Sequence, residues 1–486
     1  MSDADADRRD LYDNPLISRY ASREMSALFS PRKRIETWRR LWTALAEAER
    51  ELGLPISRSQ VEELRKNIAN IDWAAAAARE REVRHDVMAH VHAYALAAPG
   101  AGPIIHLGAT SCYVTDNGDL LIFREALELL ERKLAGTIFA LAAFARRERA
   151  RPTLGFTHFQ PAQPTTVGKR AALWAQDFIL DLREVASRRE GLRLRGATGT
   201  TGTQASFLEL FDGSHAKCDR LNRLICRKLG FPGTIPLTGQ TYSRKLDSQI
   251  LAAVAGIGES ASKFATDLRL LAHRREIEEP FEKKQIGSSA MAYKRNPMRS
   301  ERICSLSRYL LTLPLNGAMT QAVQWLERTL DDSANRRLSL PQAFLAADAV
   351  LELSADVASG LVVNPKVIER NLAAELPFLA TEEILMAGVK AGGDRQALHE
   401  RIRGHSLAAA ERLKNGDGVN DLLALIMDDP AFDAVSNRLD AILDGRRFVG
   451  RAPEQVDAFL KNEVAPLRRR YRRFGGGAGL FAGVKV

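Results

Sequence analysis

Apolar residues return at helical spacing over long stretches of this 486-residue chain. Two of these stripes occupy residues 123–141 and 246–271, where an apolar side chain recurs every three or four positions. This spacing places the apolar side chains on one face of a helix. The first of these helices is predicted to begin near Thr115 and to end near Ala150, because Pro152 disfavours helical geometry in the residue before it.

Three further helices are predicted at 165–195, 297–325 and 334–361. Pro314 and Pro341 fall inside the last two, where a proline is expected to kink or break a helix. Helices of about 30 residues are longer than the average globular helix and usually lie side by side in a bundle. An apolar stripe sustained over such a length is also typical of helices shared between subunits. The predicted fold is therefore all-α, in a helical oligomer.

Turn-forming residues divide the chain into three predicted helical domains. The segment 99–103 contains two prolines and two glycines, and the pair Asn364-Pro365 closes the run of long helices. Both are typical loop signals. The domains are an N-terminal helical domain, a central long-helix bundle that forms a shared core in the oligomer, and a C-terminal helical domain with a basic, glycine-rich tail, at 1–110, 111–363 and 364–486.

The composition is that of an ordinary globular protein, with 45% hydrophobic and 27% charged residues. The longest apolar stretch, 134–145, is shorter than the roughly 20 residues that cross a bilayer. The N-terminus lacks the basic start and apolar run of a secretory signal, so a cytoplasmic location is expected. Four cysteines without Cys-x-x-Cys spacing indicate reduced thiols rather than a disulfide scaffold or a zinc site.

Lysine and arginine outnumber aspartate and glutamate by 70 to 60, which gives a formal charge of +10. This surplus fits nucleic-acid binding, an anionic substrate or no particular partner. Its densest run, 467–474, precedes three glycines and is typical of a solvated helix end that frays. No finger, RNP or helix-turn-helix pattern accompanies the charge. Nucleic acid is therefore the least favoured partner, and steep salt dependence of oligonucleotide binding would reveal it.

Residues 285–297, between two of the predicted long helices, combine two serine hydroxyls with Lys294 and Asn296. Gly287 and Pro297 bracket these groups. Such a loop can present backbone N–H groups, a cation and an amide to an anion. The same composition also suits a solvent-exposed connector rich in turn formers, so the residues alone leave both interpretations open.

Residues 287–297 resemble the signature loop of the fumarase/aspartase superfamily, whose members are helical tetramers that eliminate fumarate from substituted succinates. The superfamily normally has proline where this chain has Ala292, and the loss of that proline should make the unliganded loop more flexible. Further segments resemble the adenylosuccinate lyases within that superfamily, in particular their animal-type branch. These segments are 18–20, 84–92, 105–113, 153–163, 199–204 and 329–337.

This resemblance implies an activity and its setting. A carbon–nitrogen lyase of this family removes fumarate from adenylosuccinate to give AMP, and from the succinyl-carboxamide ribonucleotide SAICAR to give AICAR, in purine nucleotide biosynthesis. It works without a metal or redox cofactor, as a homotetramer in which each active site draws on three subunits. The implied partner is a small nucleotide substrate, with no role for nucleic acid or a membrane.

The resemblance also implies the catalytic groups. Ser288 is expected to remove the proton next to a carboxylate, with Lys294 and nearby backbone amides lowering the pKa of its hydroxyl. His158 is expected to protonate the departing nitrogen, because the reference pKa of histidine, about 6.5, suits proton donation at neutral pH. His85 is the rival acid, or else a ligand that holds the nucleotide.

Substrate anchoring follows from the same resemblance, and arginine forks match phosphate oxygens in pairs. The residues expected to bind the phosphate are Arg19, Arg328, Ser333 and Arg337. Those expected to bind the succinyl carboxylates are Thr110, Ser111, Gln240, Lys294 and Asn296. The other expected pocket residues are Tyr20, Arg84, Asp86, Thr157 and Arg302.

Two alternatives stay open at this point. Another fumarate-releasing lyase, such as argininosuccinate lyase or aspartase, shares the loop, although the phosphate-suited arginines and the extended histidine motifs argue against it. The second alternative is a non-catalytic structural protein on the same fold, against which intact Ser288, Lys294 and His158 count. Assays of fumarate release from each candidate substrate would decide between them.

Overall fold

The computed structural model describes residues 10–416, 418, 420–438 and 445–472. The glycine-rich tail predicted after Phe474 lies outside these residues. Helices dominate the described chain, which confirms the all-α prediction. Among the described residues, none of the helices combines the length and the low polarity that a passage through a membrane requires.

Residues 10–104 form helices of up to 21 residues, and polar side chains cap the starts of several of them. Ser22, Ser30 and Ser57 each accept a hydrogen bond from the backbone amide three residues further on. Such caps satisfy amide groups that the first helical turn leaves unpaired. A π-helical turn, Leu16–Tyr20, precedes the helices, and a 3-10 turn, Pro99–Ile104, follows them. The helices are α1 (Arg23–Leu28), α2 (Pro31–Glu51), α3 (Arg58–Lys66), α4 (Trp73–Val83) and α5 (Asp86–Ala97).

A bundle of long helices follows, connected by short strands and small helices. Three of the long helices contain 37, 29 and 29 residues, and 29 helical residues span about 43 Å. The elements are α6 (Ser111–Arg147), β1 (Pro152–Thr157), β2 (Gln160–Thr166), α7 (Val167–Gly191), α8 (Ala205–Leu210), α9 (His215–Leu229), α10 (Lys245–His273), β3 (Ile277–Glu278), α11 (Met298–Thr312), α12 (Pro314–Val323), α13 (Asp332–Gly360) and β4 (Val362–Val363).

The predicted long helices are confirmed, with differences at their ends and at the prolines. The helix expected from Thr115 already begins at Ser111. Pro314 separates α11 from α12, whereas α13 continues through Pro341. Proline at that position removes the amide that would bond to the Arg337 carbonyl. Both residues border a cavity, where the freed carbonyl can be solvated.

The helices α6, α10 and α13 run in the same direction. Arg244, just before α10, contacts Asp116 near the start of α6 and Asp332 at the start of α13. At the opposite end, Arg147 of α6 donates a hydrogen bond to the Leu361 carbonyl after α13, and β3 pairs with β4. The bundle therefore has an N-terminal end, where these three helices start, and a C-terminal end, where they finish.

Strands β1 and β2 form an antiparallel hairpin that the sequence pattern did not predict. It lies at the C-terminal end of the bundle, and its last paired residues are Thr157 and Gln160. Pro161 and Pro164 lie within β2, and proline is compatible only with edge strands. A two-stranded ribbon has no central strand, so it accommodates both prolines, although they weaken the strand signal in the sequence.

Aromatic side chains connect the long helices in the main core. Trp174 of α7 packs edge to face on Phe264 of α10, with ring centroids 5.1 Å apart. Phe123 of α6 stacks on Phe344 of α13, with centroids 5.9 Å apart. Aromatic pairs at such distances contribute beyond the area that they bury. The apolar stripes predicted from the sequence thus meet inside the bundle.

The C-terminal part of the chain contributes to two cores. Val456 and Leu460 pack in the main core, whereas buried residues between 380 and 435 form a small core of their own. The predicted division into three domains stays a prediction. The helices here are α14 (Pro365–Leu379), α15 (Thr381–Lys390), α16 (Arg395–Asn415), α17 (Leu422–Met427), α18 (Ala452–Phe459) and α19 (Ala465–Arg470).

A buried ion cluster joins α6 to α13. Lys133 donates to Asp348 and Glu352, and Asp348 also accepts hydrogen bonds from the amide and the hydroxyl of Ser22. The side chains of Lys133 and Asp348 are at most 1% exposed. Because a buried ion without a partner costs much free energy, the cluster is stable only with all of its members.

We expect Lys133→Ala to lower the free energy of unfolding by about 3–5 kcal/mol, because it leaves two carboxylates buried without their cation. The matched control is Lys263→Ala, which removes an exposed helix pair with Asp267 and should cost less than about 1 kcal/mol. Urea denaturation of both variants measures the difference. Similar losses in the two variants would contradict a stabilising role for the cluster.

Candidate active site

A cavity of about 660 Å³ opens at the N-terminal end of the bundle, between the starts of α5, α6 and α13. Eight of the predicted catalytic or substrate-binding residues line it. They are Arg84, His85, Asp86, Ser111, Gln240, Arg328, Ser333 and Arg337. These residues come from four separate parts of the sequence, and the fold brings them to one place.

A sharp turn between α4 and α5 carries three of these residues. Arg84 ends α4 with a φ of 54°, a left-handed conformation that is uncommon outside glycine. His85 caps α5, because its Nδ1 accepts a hydrogen bond from the Met88 amide at 3.4 Å. Its Nε2 lies 3.2 Å from the Ser111 Oγ. Since Nδ1 accepts, the ring proton belongs on Nε2, which donates to the Ser111 hydroxyl.

Arginines form a cationic wall of the cavity. Arg337 Nη2 lies 2.9 Å from Asp86 Oδ2, and Arg328 Nη1 lies 2.8 Å from Asp332 Oδ1. Each contact uses one of five guanidinium N–H donors, so donors remain for an anion. Arg34 adds a guanidinium that no motif indicated, and burial, followed by the nearby Arg337, lowers its pKa.

A network of buried ion pairs lies behind this wall and fixes the helices that carry it. Arg244 Nη1 and Nη2 each lie 3.1 Å from an oxygen of Asp116, and Arg244 Nε lies 2.7 Å from Asp332 Oδ2. Burial alone would raise the pKa of Asp116, but the charges of Arg244 and Arg336 outweigh burial and lower this pKa. One guanidinium therefore joins the starts of α6, α10 and α13.

A second buried arginine extends this network along α6. Arg336 Nε lies 2.7 Å from Asp247 Oδ2, and its Nη2 lies 2.7 Å from the Tyr242 hydroxyl and 2.9 Å from Asp119 Oδ2. Burial is the largest influence on Asp119 and raises its pKa. Asp116 and Asp119 lie about one turn apart near the start of α6, but the helix contains other charged residues as well, so the sequence carried no specific signal for this network. Within the described chain, no group of three or more His, Cys, Asp or Glu side chains could hold a metal ion.

Two of the residues expected to bind carboxylates lie beside Ser111 in different settings. Thr110 precedes α6, and its buried Oγ1 has no hydrogen-bond partner among the described residues. Gln240 Nε2 donates to the Thr200 carbonyl at 3.0 Å, which ties Gln240 to the glycine-rich segment 199–204. The Gln240 amide is therefore held by the backbone, whereas the Thr110 hydroxyl is buried with its hydrogen-bonding capacity unused.

The signature loop lies between β3 and α11, at the C-terminal end of the bundle. A Cβ on Gly287 would lie 2.1 Å from the Lys294 carbonyl oxygen, so only glycine lets the two arms of the loop meet. Asn296 Nδ2 closes the loop by donating to the Gly287 carbonyl at 2.7 Å. The Ser288 Oγ accepts from the amides two and three residues further on, at 3.3 and 3.1 Å. Lys294 is exposed and is not hydrogen-bonded to Ser288.

His158 occupies the tip of the hairpin, with Thr157 just before it. His158 and Phe159 form the two-residue turn, with φ values of 53° and 58°. Positive φ at both positions is typical of a type I′ turn, which usually contains Asn and Gly. Two bulky residues in this conformation are strained, and such strain is common at functional sites. Both side chains are exposed in the single chain.

The remaining predicted residues form a third group. Arg19 and Tyr20 lie on the π-helical turn before α1. The Arg302 guanidinium, in the first turns of α11, lies 5.8 Å from the centre of the Tyr20 ring, within the range of a cation–π contact. Arg302 lies close to the signature loop, because α11 starts directly after that loop. Tyr20 lies near the loop through its contact with Arg302.

The predicted site residues therefore do not meet within one chain. The main cavity lies where α10 begins, whereas the hairpin and the signature loop lie where α10 finishes. Thr153 of β1 lies near that end, because its Oγ1 is 3.4 Å from the Glu276 Oε2 just before β3. The length of α10 separates the cavity from Ser288 and His158 by about 40 Å. Any site that uses both ends needs more than one chain.

His106 is a residue of the cavity region that the sequence did not single out. It has a φ of 66°, and its Nδ1 accepts a hydrogen bond from the indole N–H of Trp42 at 2.9 Å. Burial, followed by the nearby His85, lowers the pKa of His106 to about 4. The sequence signal that could have identified His106 is its position in the segment 105–113, four residues before Thr110.

Two protein-family models match the sequence. A lyase model matches residues 25–310, and a model of the adenylosuccinate lyase C-terminus matches residues 377–459. The fold is similar to that of 3-carboxy-cis,cis-muconate lactonizing enzyme from Pseudomonas putida, with a TM-score of 0.81 at 23% identity over 94% of this chain and 100% of that chain. A fumarate lyase from Mesorhizobium sp. BNC1 has a TM-score of 0.79 at 23% identity over 93% of this chain and 100% of that chain. Fold and sequence thus define a helical lyase of the fumarase/aspartase superfamily.

Three adenylosuccinate lyases are similar along almost their whole length. The one from Schizosaccharomyces pombe is 53% identical over 93% of this chain and 95% of the relative. Those from Saccharomyces cerevisiae and Schistosoma mansoni are 52% and 49% identical, over 96% and 95% of this chain and 97% and 96% of the relatives. The chain belongs to the adenylosuccinate lyase family, which confirms the resemblance drawn from its motifs.

The neutral state of half-buried His106 predicts a dependence of stability on pH. The unfolded histidine has a pKa of about 6.5, whereas the folded one stays neutral down to about pH 4. Between these values only the unfolded state takes up the proton, so acidification lowers the free energy of unfolding. His106→Gln should reduce this slope by up to about 1.4 kcal/mol per pH unit. Urea denaturation from pH 7 to 4 measures the slope, and exposed His215→Gln should leave it unchanged.

Proposed function

We propose that the chain converts adenylosuccinate to AMP and fumarate, and that the same site cleaves SAICAR to AICAR and fumarate. The supporting observation is the identity of 49–53% to three adenylosuccinate lyases over nearly the full chain. The cationic wall of the main cavity supports the same conclusion, since both substrates carry a phosphate that guanidinium groups can pair with. We assign this activity to purine nucleotide biosynthesis in the cytoplasm.

Elimination sets two requirements for the protein. A proton must leave the carbon next to a carboxylate, which places extra negative charge on that carboxylate. The departing nitrogen must then receive a proton from an acid, and the carbon–nitrogen bond breaks as the carbon–carbon double bond of fumarate forms. The site therefore needs a base, an acid and an array of donors around the succinyl group.

Ser288 is the proposed base. A serine hydroxyl has this role only when its deprotonated oxygen is stabilised. Its Oγ already accepts two backbone amide hydrogen bonds, and such bonds favour a negatively charged oxygen. Closure of the loop over substrate would add Lys294 and Asn296 as donors to the succinyl carboxylate. The glycine at 287 and the missing proline at Ala292 leave the loop free to make that movement.

His158 is the proposed acid, and His85 is proposed to position the substrate. The His85 Nε2–H is already committed to Ser111, and its Nδ1 caps α5. Both ring nitrogens therefore have structural partners, which suits a residue that holds Ser111 against a succinyl carboxylate. Among the described residues, the His158 ring has no hydrogen-bond partner, and it lies on an exposed turn, where it can enter another subunit's cavity.

The binding residues divide into three proposed groups. The phosphate group comprises Arg19, Arg328, Ser333 and Arg337. The succinyl group comprises Thr110, Ser111, Gln240, Lys294 and Asn296. The residues around the rest of the nucleotide are Tyr20, Arg84, Asp86, Thr157 and Arg302. No metal or redox cofactor has a part in this scheme, because proton transfer and charge stabilisation account for each step.

A homotetramer with sites shared between three subunits is the proposed assembly. The separation of about 40 Å between the cavity and the proposed base and acid supports it. Exposed apolar side chains support it as well: Leu315, Met319 and Val323 lie one turn apart along one face of α12 and are 63%, 61% and 56% exposed. An apolar face of this kind is typical of a surface that a second subunit covers.

The first test concerns the base and the acid. Ser288→Ala and His158→Ala should each lower the turnover number for adenylosuccinate at least about 10²-fold, because proton-transfer groups contribute that much or more. The matched controls are Ser289→Ala, in the same loop, and His399→Ala, an exposed histidine of α16; both should retain turnover. Fumarate release is the measurement, with size-exclusion chromatography to verify assembly. Near-normal turnover in Ser288→Ala or His158→Ala would overturn that assignment.

The second test concerns shared sites. When Ser288→Ala and His158→Ala proteins are mixed and allowed to exchange subunits, some active sites should receive an intact serine from one variant and an intact histidine from the other. Part of the activity should then return. Each variant incubated alone is the control, and native mass spectrometry of differently tagged chains verifies exchange. Proven exchange without recovered activity would contradict sites built from several chains.

A further inference from the structure

A second cavity, of about 610 Å³, lies at the C-terminal end of the bundle, away from the main cavity. One side is the turn from α6 into β1, where four arginines fall within six residues. The other side is α14, with the apolar residues Ile368 and Leu372. We call it the arginine cavity and define it by Arg146, Arg147, Arg149, Arg151, Ile368 and Leu372.

The lining of the arginine cavity has a positive surplus. With Arg446, five arginines line it, whereas Glu148 and Glu369 are its acidic residues. Like charges so close together repel one another. Arg146 and Arg147 complement the negative end of the α6 dipole in its last turn. Arg149 lies beyond the helix, as does Arg151, so the helix dipole does not account for the whole set.

Arg146, Arg147, Arg149 and Arg151 keep guanidinium donors that could pair with a bound anion. Glu148 accepts from Arg147 Nε at 3.0 Å and from Arg151 Nε at 2.5 Å. Arg147 Nη2 also donates to the Leu361 carbonyl at 3.4 Å, which leaves its Nη1 without a hydrogen bond to the described residues. Arg149 pairs with Asp457 at 3.2 Å, but both side chains are about half exposed, and such pairs are weak. Among the described residues, Arg146 has no hydrogen-bond or ion-pair partner.

We propose that the arginine cavity binds an anion that carries two or more phosphate groups. Guanidinium forks pair with phosphate oxygens two at a time, and a surplus of several arginines matches more than one phosphate. The volume lies within the range of small-molecule sites, and the apolar side from α14 excludes water from one face. Two sources have this chemistry, a nucleoside polyphosphate and an inorganic polyphosphate.

A bound polyphosphate would contact the base of the hairpin. Arg151 directly precedes β1, and its carbonyl accepts a hydrogen bond from the Val167 amide at 3.0 Å. The Glu148 carbonyl likewise accepts from the Gly168 amide at 3.0 Å. The arginine-bearing turn is thus attached to both ends of the hairpin. Binding should therefore be visible as slower amide exchange in residues 148–157.

Calorimetric titration of the full-length protein tests the proposal, with tripolyphosphate, ATP and adenosine as probes in the absence of divalent cations. Tripolyphosphate should bind the unmodified protein, and Arg146→Gln combined with Arg149→Gln should weaken its binding at least tenfold. The matched control replaces Arg58 and Arg79 by Gln; these are exposed arginines in helix ion pairs, and binding should be unchanged. Arg337→Ala, in the main cavity, should also retain the binding.

The probes distinguish the two sources. Tighter binding of ATP than of tripolyphosphate would identify a nucleotide, whereas equal binding would identify the phosphate chain alone; either result supports the proposal. Absence of tripolyphosphate binding would overturn it, as would unchanged binding after loss of Arg146 and Arg149, or loss of binding in Arg337→Ala. Tight binding of adenosine that disappears in the double variant would also overturn it, because adenosine carries no phosphate. Exchange protection in residues 148–157 that disappears in the double variant provides the independent readout, and protection elsewhere alone would contradict the site.

Discussion

The contact of Arg244 with Asp116 and Asp332 fixes the end of the bundle on which the main cavity depends. All three side chains are at most 2% exposed, and a buried charge without a partner is strongly unfavourable. One cation meets two carboxylates from different helices, so α6 and α13 cannot shift along each other without separating these charges. Their starts are thereby held in register, which places Ser111 and Ser333 on one cavity wall before any ligand arrives.

Helix length is the second constraint, and it acts over the whole molecule. Long parallel helices make a stable core, because their apolar stripes are buried along their full length. The same helices separate Ser288 and His158 from the cavity that binds the nucleotide in our proposal. A complete site can form only if the C-terminal end of one chain's bundle, with Ser288 and His158, meets the cavity at the N-terminal end of another chain's bundle. Oligomerisation would then be a requirement of the active site as well as a contribution to stability.

Regular periodicity made the long helices predictable, and short-range motifs made the signature loop recognisable. Features that depend on contacts distant in sequence were not predictable in the same way. The hairpin was not predicted, because Pro161 and Pro164 weaken the strand pattern of β2. Arg34 was not predicted as a cavity residue, because its place beside Arg337 arises only in the folded chain. Asp116 and Asp119 did not stand out from the other charged residues of α6, and their arginine partners come from segments more than 100 residues away. Burial and pairing of this kind arise only in the folded chain.

The two halves of the proposed site differ in how firmly they are held. The cavity wall is preorganised by buried ion pairs, whereas Ser288 lies on a loop between β3 and α11 and His158 lies on an exposed turn. Preorganised donors stabilise charge without further rearrangement, while mobile segments can close over a bound substrate and exclude water. Binding energy from the phosphate, far from the reacting carbon, can then order the loop and the strained hairpin turn.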